Sequence, residues 1–299
     1  MPHTGIAALL ALASALCIAT GDVLQQRAAH RITDPSVGHI ALFVRLLRNR
    51  RWLWGALLLA ASIALQAAAL GQGSVLLVQA LLMLSVLFAL PINARLSHRT
   101  VAAGEWVWAG LLTAAVIVIV IVGNPNAGRS GASLKTWAWV AVVLGPVLIG
   151  CVIAGRIWGG AAAAVLFAFV SGSLWGVFAV LTKEVVARLS DDWAVVRTPE
   201  LYACVLVAVG GIVWSQAAFR AGPLTASMPM LAMSQPVVAA LLGVVVLGET
   251  LGTGRAGMAT FAAAVLVMTA AIVKLARVDA VATRERVDAH LQDVIDQRV

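Results

Sequence analysis

The chain has 299 residues, 62% hydrophobic and 11% charged, with a mean hydropathy of +0.97, whereas soluble domains carry roughly 25% charged residues. This balance excludes a soluble globular domain and points to a membrane protein. The net charge of +8 and pI near 10.7 do not indicate nucleic acid, because the basic residues gather in short loops between apolar runs, where a membrane surface accounts for them.

A helix needs roughly 20 apolar residues to cross the hydrocarbon layer. By that measure the chain predicts an all-α polytopic bundle of nine spans. They lie near residues 5–26, 52–71, 74–94, 104–123, 135–155, 160–182, 201–219, 223–247 and 255–275. The first span carries a small-residue pattern at Ala13, Ser14 and Ala15. No Lys or Arg precedes it, and Arg27 and Arg31 follow, so it reads as an uncleaved helix with its N-terminus outside.

Between the first two spans, "HIALFVRLLRNRR" at 39–51 is apolar and then basic, which suits an interfacial helix on the inner leaflet. Alternation from an outside N-terminus places most of the 21 Lys and Arg in the cytoplasm, including Arg45, Arg48, Arg95, Arg156 and Arg220. Trp52, Trp54, Trp106, Trp108, Trp137, Trp139 and Trp158 fall at span ends, where headgroup anchoring is the ordinary role. Cys17, Cys151 and Cys204 lie inside apolar runs with no metal or disulfide spacing. The tail sets Val287, Leu291 and Val294 at helical spacing and reads as a short solvated helix. The expected location is the cell or inner membrane, with the C-terminus cytoplasmic.

An internal repeat is the most informative feature. A shift of 157 residues lays Ala7, Ala11, Ala15 and Ala19 on Ala164, Ala168, Gly172 and Gly176, and Ser14 on Ser171. "VLQQR" at 23–27 then meets "VLTKE" at 180–184, and further on "QAAALGQG" at 66–73 resembles "QAAFRAGP" at 216–223. The odd number of crossings from the first span to the sixth makes the repeats inverted, an arrangement from which many secondary transporters build two gates around one site. The resulting division is a first repeat over 1–134 with the interfacial helix near 38–51, a linking helix at 135–159, a second repeat over 160–275 and a cytoplasmic tail at 276–299.

"VVVLGETLGTGRAGMATFAAAVLVMTAAIV" at 244–273 and "LWG" at 174–176 resemble the EamA-type repeat of the drug/metabolite transporter superfamily. Within it, "WLWGALLLAASIALQAAALGQGSVLLVQALLMLSVLFALP" at 52–91 and "SQAAFRAGPLTASMPM" at 215–230 look most like the nine-span, N-outside NIPA-type magnesium transporters. The resemblance implies a transporter fold over roughly 7–275. NIPA-type proteins carry an acidic residue in the second helix where this chain has Ser62. Mg²⁺ wants several carboxylate or carbonyl oxygens, so the resemblance carries the fold further than that substrate.

Ala7, Ala11, Ala15, Ala19, Asp22 and Gln26 recur at three or four residues and form one stripe. Small residues let helices approach closely in lipid, and Gly172 and Gly176 give the sixth span an equivalent face. Asp22 is therefore expected to point into the bundle. A carboxylate facing lipid costs on the order of 2.5–3.5 kcal/mol, and one inside usually lines a pathway. The alternative is pairing with Arg27 near the inner headgroups. Gln66, Gln79, Gln216, Ser234 and Gln235 are the other polar groups at membrane depth. They either bind neighbouring helices or line a weakly polar pathway for a neutral or amphipathic solute. Pro229 and Pro236 among Met228, Met230 and Met233 suit a flexing substrate wall or an ordinary kinked helix. Glu105 and Glu249, at span ends, read as interfacial.

The chain has no HExxH, P-loop, nucleophile elbow or spaced carboxylate pair, so neither catalysis nor a cofactor is expected. The expected partners are membrane lipids and a small-molecule solute, with a homodimer as an option and no nucleic acid. Three readings follow: a secondary transporter of a small organic solute, a divalent cation transporter, and a lipid or lipid-linked-sugar translocator or non-transporting scaffold.

Overall fold

A computed structural model describes residues 2–32, 50–96, 101–123, 125–126, 128–189, 198–222, 224–252, 254 and 257–275. The described residues contain nine helical segments long and apolar enough to cross a membrane, each within a few residues of its sequence expectation except the sixth, which runs on to Leu189. The chain is a multi-pass membrane protein. The tail at 276–299 lies outside the described residues. So does the expected interfacial helix, apart from its last two residues, which open the second helix.

In chain order the helices are α1 (Pro2–Ile32), α2 (Arg50–Gln72), α3 (Val75–Leu82), α4 (Ser85–Leu96), α5 (Ala103–Gly123), α6 (Leu134–Trp158), α7 (Gly160–Leu189), α8 (Pro199–Ala221), α9 (Leu224–Val245) and α10 (Gly257–Leu275). Two two-residue strands, β1 (Pro125–Asn126) and β2 (Thr250–Leu251), pair antiparallel. The third crossing is broken: α3 ends in a turn at Met83 and Leu84 before α4 resumes. Leu84 N donates to Leu81 O at 3.1 Å, three residues back, the tightened geometry of a helix end.

Local chemistry explains where the helices begin and stop. Ser74 caps α3, its hydroxyl accepting from Leu77 N at 3.1 Å, and Ser133 caps α6 by accepting from Thr136 N at 3.2 Å. Pro199 occupies the first turn of α8, where its missing N–H matters least. Gly159 and Gly160, at φ 64° and 54°, separate α6 from α7 with two left-handed residues.

Packing of the small-residue stripes sets the architecture. Ala7, Ala11, Ala15 and Ala19 are all buried, and α1 packs along α2 and the broken helix α3–α4. On α7, a Cβ at Gly172 would fall on Ser234 Oγ, and one at Gly176 would lie 2.9 Å from Ala239 N, so α9 approaches almost to backbone contact. One polar bond recurs. Ser14 Oγ donates to Ser62 O at 2.8 Å, joining α1 to α2, and Ser171 Oγ donates to Gly211 O at 2.7 Å, joining α7 to α8. Helix α6 stands at the side, packed on α7 with only Gly155 buried, and turns Trp139, Val143 and Ile157 outward.

The helix ends gather at two faces. The start of α1 meets the α2–α3 turn, where a Cβ on Gly73 would touch Ala7 Cβ. That N-terminal face also holds the β1–β2 ladder. At the opposite face Gly222 approaches Gly160 O.

Candidate functional site

The first-helix stripe corrects one expectation. Four-residue steps from Ala19 lead to Val23, which is buried, and not to Asp22, which is exposed. One residue turns the side chain by about 100°, so Asp22 leaves the seam that the alanines form and does not point into the bundle. The Gln26 side chain lies outside the described residues. Gln66 and Gln79 are buried, Gln235 is half-buried and Gln216 is exposed, so the two repeat-related glutamines do not share an environment. Ser234 is buried, but its hydroxyl is engaged by Met230 O at 2.8 Å on its own helix. These residues do not assemble into one lining.

A different set of polar groups converges at the N-terminal face, around Glu249. Helix α9 ends in a turn through Gly248, whose φ of 65° is left-handed and suits a residue without Cβ. Glu249 N then donates back to Gly243 O at 3.0 Å, which folds the side chain over the bundle. Its carboxylate accepts from Val75 N at 2.6 Å and Leu76 N at 3.1 Å, the first two N–H groups of α3. Those donors have no partner inside their own helix, and the positive end of the helix favours an anion there. Lys183 Nζ donates to the same Oε1 at 2.6 Å. The Glu249 side chain is 0% exposed and that of Lys183 7%. Glu249 is thus a fully enclosed charge rather than an interfacial one.

Neighbouring contacts enclose this pair. A Cβ at Gly243 would lie 2.9 Å from Glu249 Oε2, so the glycine provides the room the carboxylate occupies. The segment after α5 straps the turn: β1 pairs with β2, Arg129 N donates to Leu247 O at 2.7 Å and Gly252 N to Gly123 O at 3.0 Å. The next acidic residue on α7's partner chain of contacts is Glu184, which accepts from Ala132 N at 2.9 Å and from Trp137 Nε1 at 3.1 Å and 3.2 Å. Trp137 therefore turns inward instead of anchoring in headgroups. Glu105 is also buried, and accepts from Ala102 N at 2.8 Å at the start of its own helix. The Arg188–Glu200 pair between α7 and α8, at 2.8 Å, is half-open on the arginine side and is worth no more than about 1 kcal/mol.

Buried polar groups are mostly satisfied, which makes the exceptions informative. Gln79 is 1% exposed, and both its Oε1 and its Nε2 are without a hydrogen-bond partner. Leaving each such group unpaired costs about 1–3 kcal/mol. The Ser173 and Ser227 hydroxyls are also enclosed and unpartnered.

The chain is 32% identical over 280 residues, 91% of its length, to an uncharacterized protein of Corynebacterium glutamicum, Cgl0250/cg0304, of which the match covers 95%. It belongs to that protein's family. No family model and no solved structure matches it. The match spans nearly the whole of both chains and is not confined to one half.

Lys183, Glu184 and Glu249 are buried, and reading the sequence by hydropathy passes over the first two and leaves Glu249 at the interface. The sixth span closes at 182 by apolar content, whereas α7 runs on to Leu189 and takes Lys183 and Glu184 into the bundle. One signal was available: span parity puts the end of the sixth helix and the end of the eighth on the same side, with a lone lysine at one and a lone glutamate at the other. Their pairing still required the fold.

Proposed function

We propose that the protein is a secondary transporter of a small organic solute, working by alternating access in the cell membrane with its N-terminus outside and C-terminus cytoplasmic. The carrying observation is the Glu249 carboxylate, which belongs to the second half of the chain yet caps the broken third helix of the first half and pairs with Lys183. A tie of this kind closes one face of a two-part bundle through contacts that can be released as a unit. Removing one partner of such a pair costs about 3–5 kcal/mol. Shifting a two-state equilibrium from 1:99 to 99:1 takes about 5.5 kcal/mol of differential binding, which is what the solute has to supply to work the lock.

We read the two halves as inverted repeats, which suits this function. The matching serine bonds join first helix to second in each half. The start of α1 and the end of α7 lie at the same face, so the two lead helices run oppositely. Discontinuous helices such as α3–α4 are where transporters of this design hold their cargo. The donor set favours a divalent cation less. Among the described residues no three His, Cys, Asp or Glu side chains cluster to hold a metal, and the oxygens of Glu184 and Glu249 already face N–H donors.

The test is flux across proteoliposomes with the lock made covalent. A Cβ at Gly243 lies 3.5 Å from Val75 Cβ, within the roughly 3.5–4.5 Å that a disulfide spans. A Cβ at Gly243 also presses on Glu249 Oε2 at 2.9 Å, so the reduced protein is the reference: in a background without Cys17, Cys151 and Cys204, the pair Val75→Cys and Gly243→Cys is expected to lose solute counterflow when oxidised relative to its own reduced form. Counterflow that persists through the oxidised link overturns alternating access at this face. Movement of lipid between leaflets, or of Mg²⁺ alone, would replace the organic solute as cargo.

A further inference from the structure

We infer that the Gln79 carboxamide is the polar recognition group for the cargo, and that the cargo is uncharged and carries a hydrogen-bond donor and acceptor side by side, as a carboxamide, lactam or imide edge does. This rests on the transporter reading and names the chemistry of its site.

Position comes first. Gln79 follows Val75 by four residues and so shares its side of α3. That side faces α9, since Val75 packs against Gly243 and its N–H meets Glu249. Gln79 therefore lies on the seam between the two halves, one helical turn inward from the Lys183–Glu249 lock, in the short helix before the break at Met83 and Leu84.

Next is the state of the side chain. The residues around it in sequence, Val78, Ala80, Leu81 and Leu82, are buried and apolar and offer the amide nothing. The enclosed hydroxyls of Ser14, Ser171, Thr182 and Ser234 reach a backbone carbonyl, while those of Ser173 and Ser227 do not. A serine or threonine hydroxyl can fall back on the carbonyl one turn earlier in its own helix; the longer glutamine amide leaves both its ends unpartnered here. An amide held this way presents an acceptor and donors in one plane and is matched by the same pair reversed.

Charge decides the class of ligand. Neither α3 nor α9 contains a titratable residue. The charges nearest the seam, Lys183 and Glu249, neutralise each other, and Glu184 is turned to Trp137 and Ala132. An ionic cargo would find no counter-charge on α3 or α9, while a neutral amide would satisfy both ends of Gln79.

The experiment uses the purified full-length protein in detergent with three probes of one shape: benzamide, methyl benzoate and benzoate. Ligand binding to the folded state raises apparent thermal stability. Benzamide is expected to protect the wild type with a midpoint about tenfold lower than that of methyl benzoate or benzoate, because a site built for an amide rejects analogues lacking its N–H. Gln79→Met keeps the length and removes the amide. It is expected to be as stable as the wild type or more so without ligand, and to lose the preference for benzamide. Three results would each overturn the assignment: equal or no protection of the wild type by benzamide and the ester, a preference retained in Gln79→Met, or a Gln79→Met protein that no longer folds. Binding in detergent involves no movement across a bilayer, so a wild type without preference for benzamide but with intact solute flux rejects Gln79 alone, and a preference that Gln79→Met abolishes in a protein without flux rejects transport alone.

Discussion

Glu249 serves three donors with two oxygens: the Lys183 ammonium and the N–H groups of Val75 and Leu76. The two partners are unequal in what their loss leaves behind. Glu249→Gln strands an enclosed ammonium and also hands α3 a weaker cap, so it should destabilise by about 3–5 kcal/mol. Lys183→Met leaves the carboxylate still held by two helix N–H groups and should cost less, about 1–3 kcal/mol. Denaturation of the single and double variants checks this. The double variant should be less damaged than the sum of the singles, and strict additivity would show that the pair does not interact. Little of this was legible in the chain, because charge at a span end looks the same whether it meets headgroups or a partner. Asp22 teaches the converse: its spacing from Ala19 fits the stripe, yet Val23 fits as well and is apolar, and the apolar residue took the seam.

At the scale of helices, glycine acts by what would collide with a side chain. On α7, a Cβ at Gly176 would meet Ala239 N, Gln235 O and Val238 Cβ, each at 2.9 Å, two of them backbone atoms that cannot swing aside. Gly176→Ala should therefore part α7 from α9 and cost about 1–3 kcal/mol. Gly150 on the outward α6 has nothing within 4 Å of a Cβ. Gly150→Ala should be neutral or stabilise by up to about 1 kcal/mol, since glycine weakens a helix relative to alanine. Thermal unfolding of the two variants side by side separates seam from lipid surface; equal effects would mean α7 and α9 are not in close contact. The Gly172 and Gly176 face was visible in the sequence because close approach in lipid needs small residues four apart, and that requirement is local. The break between α3 and α4 was not, since "VLLVQALLMLSVLFAL" is apolar apart from Gln79 and Ser85 and the turn at Met83 and Leu84 has no glycine or proline to mark it.

For the whole molecule, the nine apolar helices among the described residues, read as nine crossings, imply chain ends on opposite sides of the membrane. A tag before α1 should be accessible on intact cells and a reporter after α10 only after permeabilisation; both ends on one side would contradict the crossing number. The amino-acid sequence by itself determined the number, order and approximate limits of the apolar helices and the small-residue faces of α1 and α7. Those properties follow from hydrocarbon thickness and helical periodicity, which act within one segment. Only the tertiary structure decided which polar groups are enclosed together. Glu249 meets Val75 across 174 positions and Lys183 across 66, and no local pattern records a contact that exists only because α3, α7 and the end of α9 arrive at the same face. The orphaned amide of Gln79 was likewise decided there, since one glutamine in an apolar run acquires its meaning from what surrounds it in space.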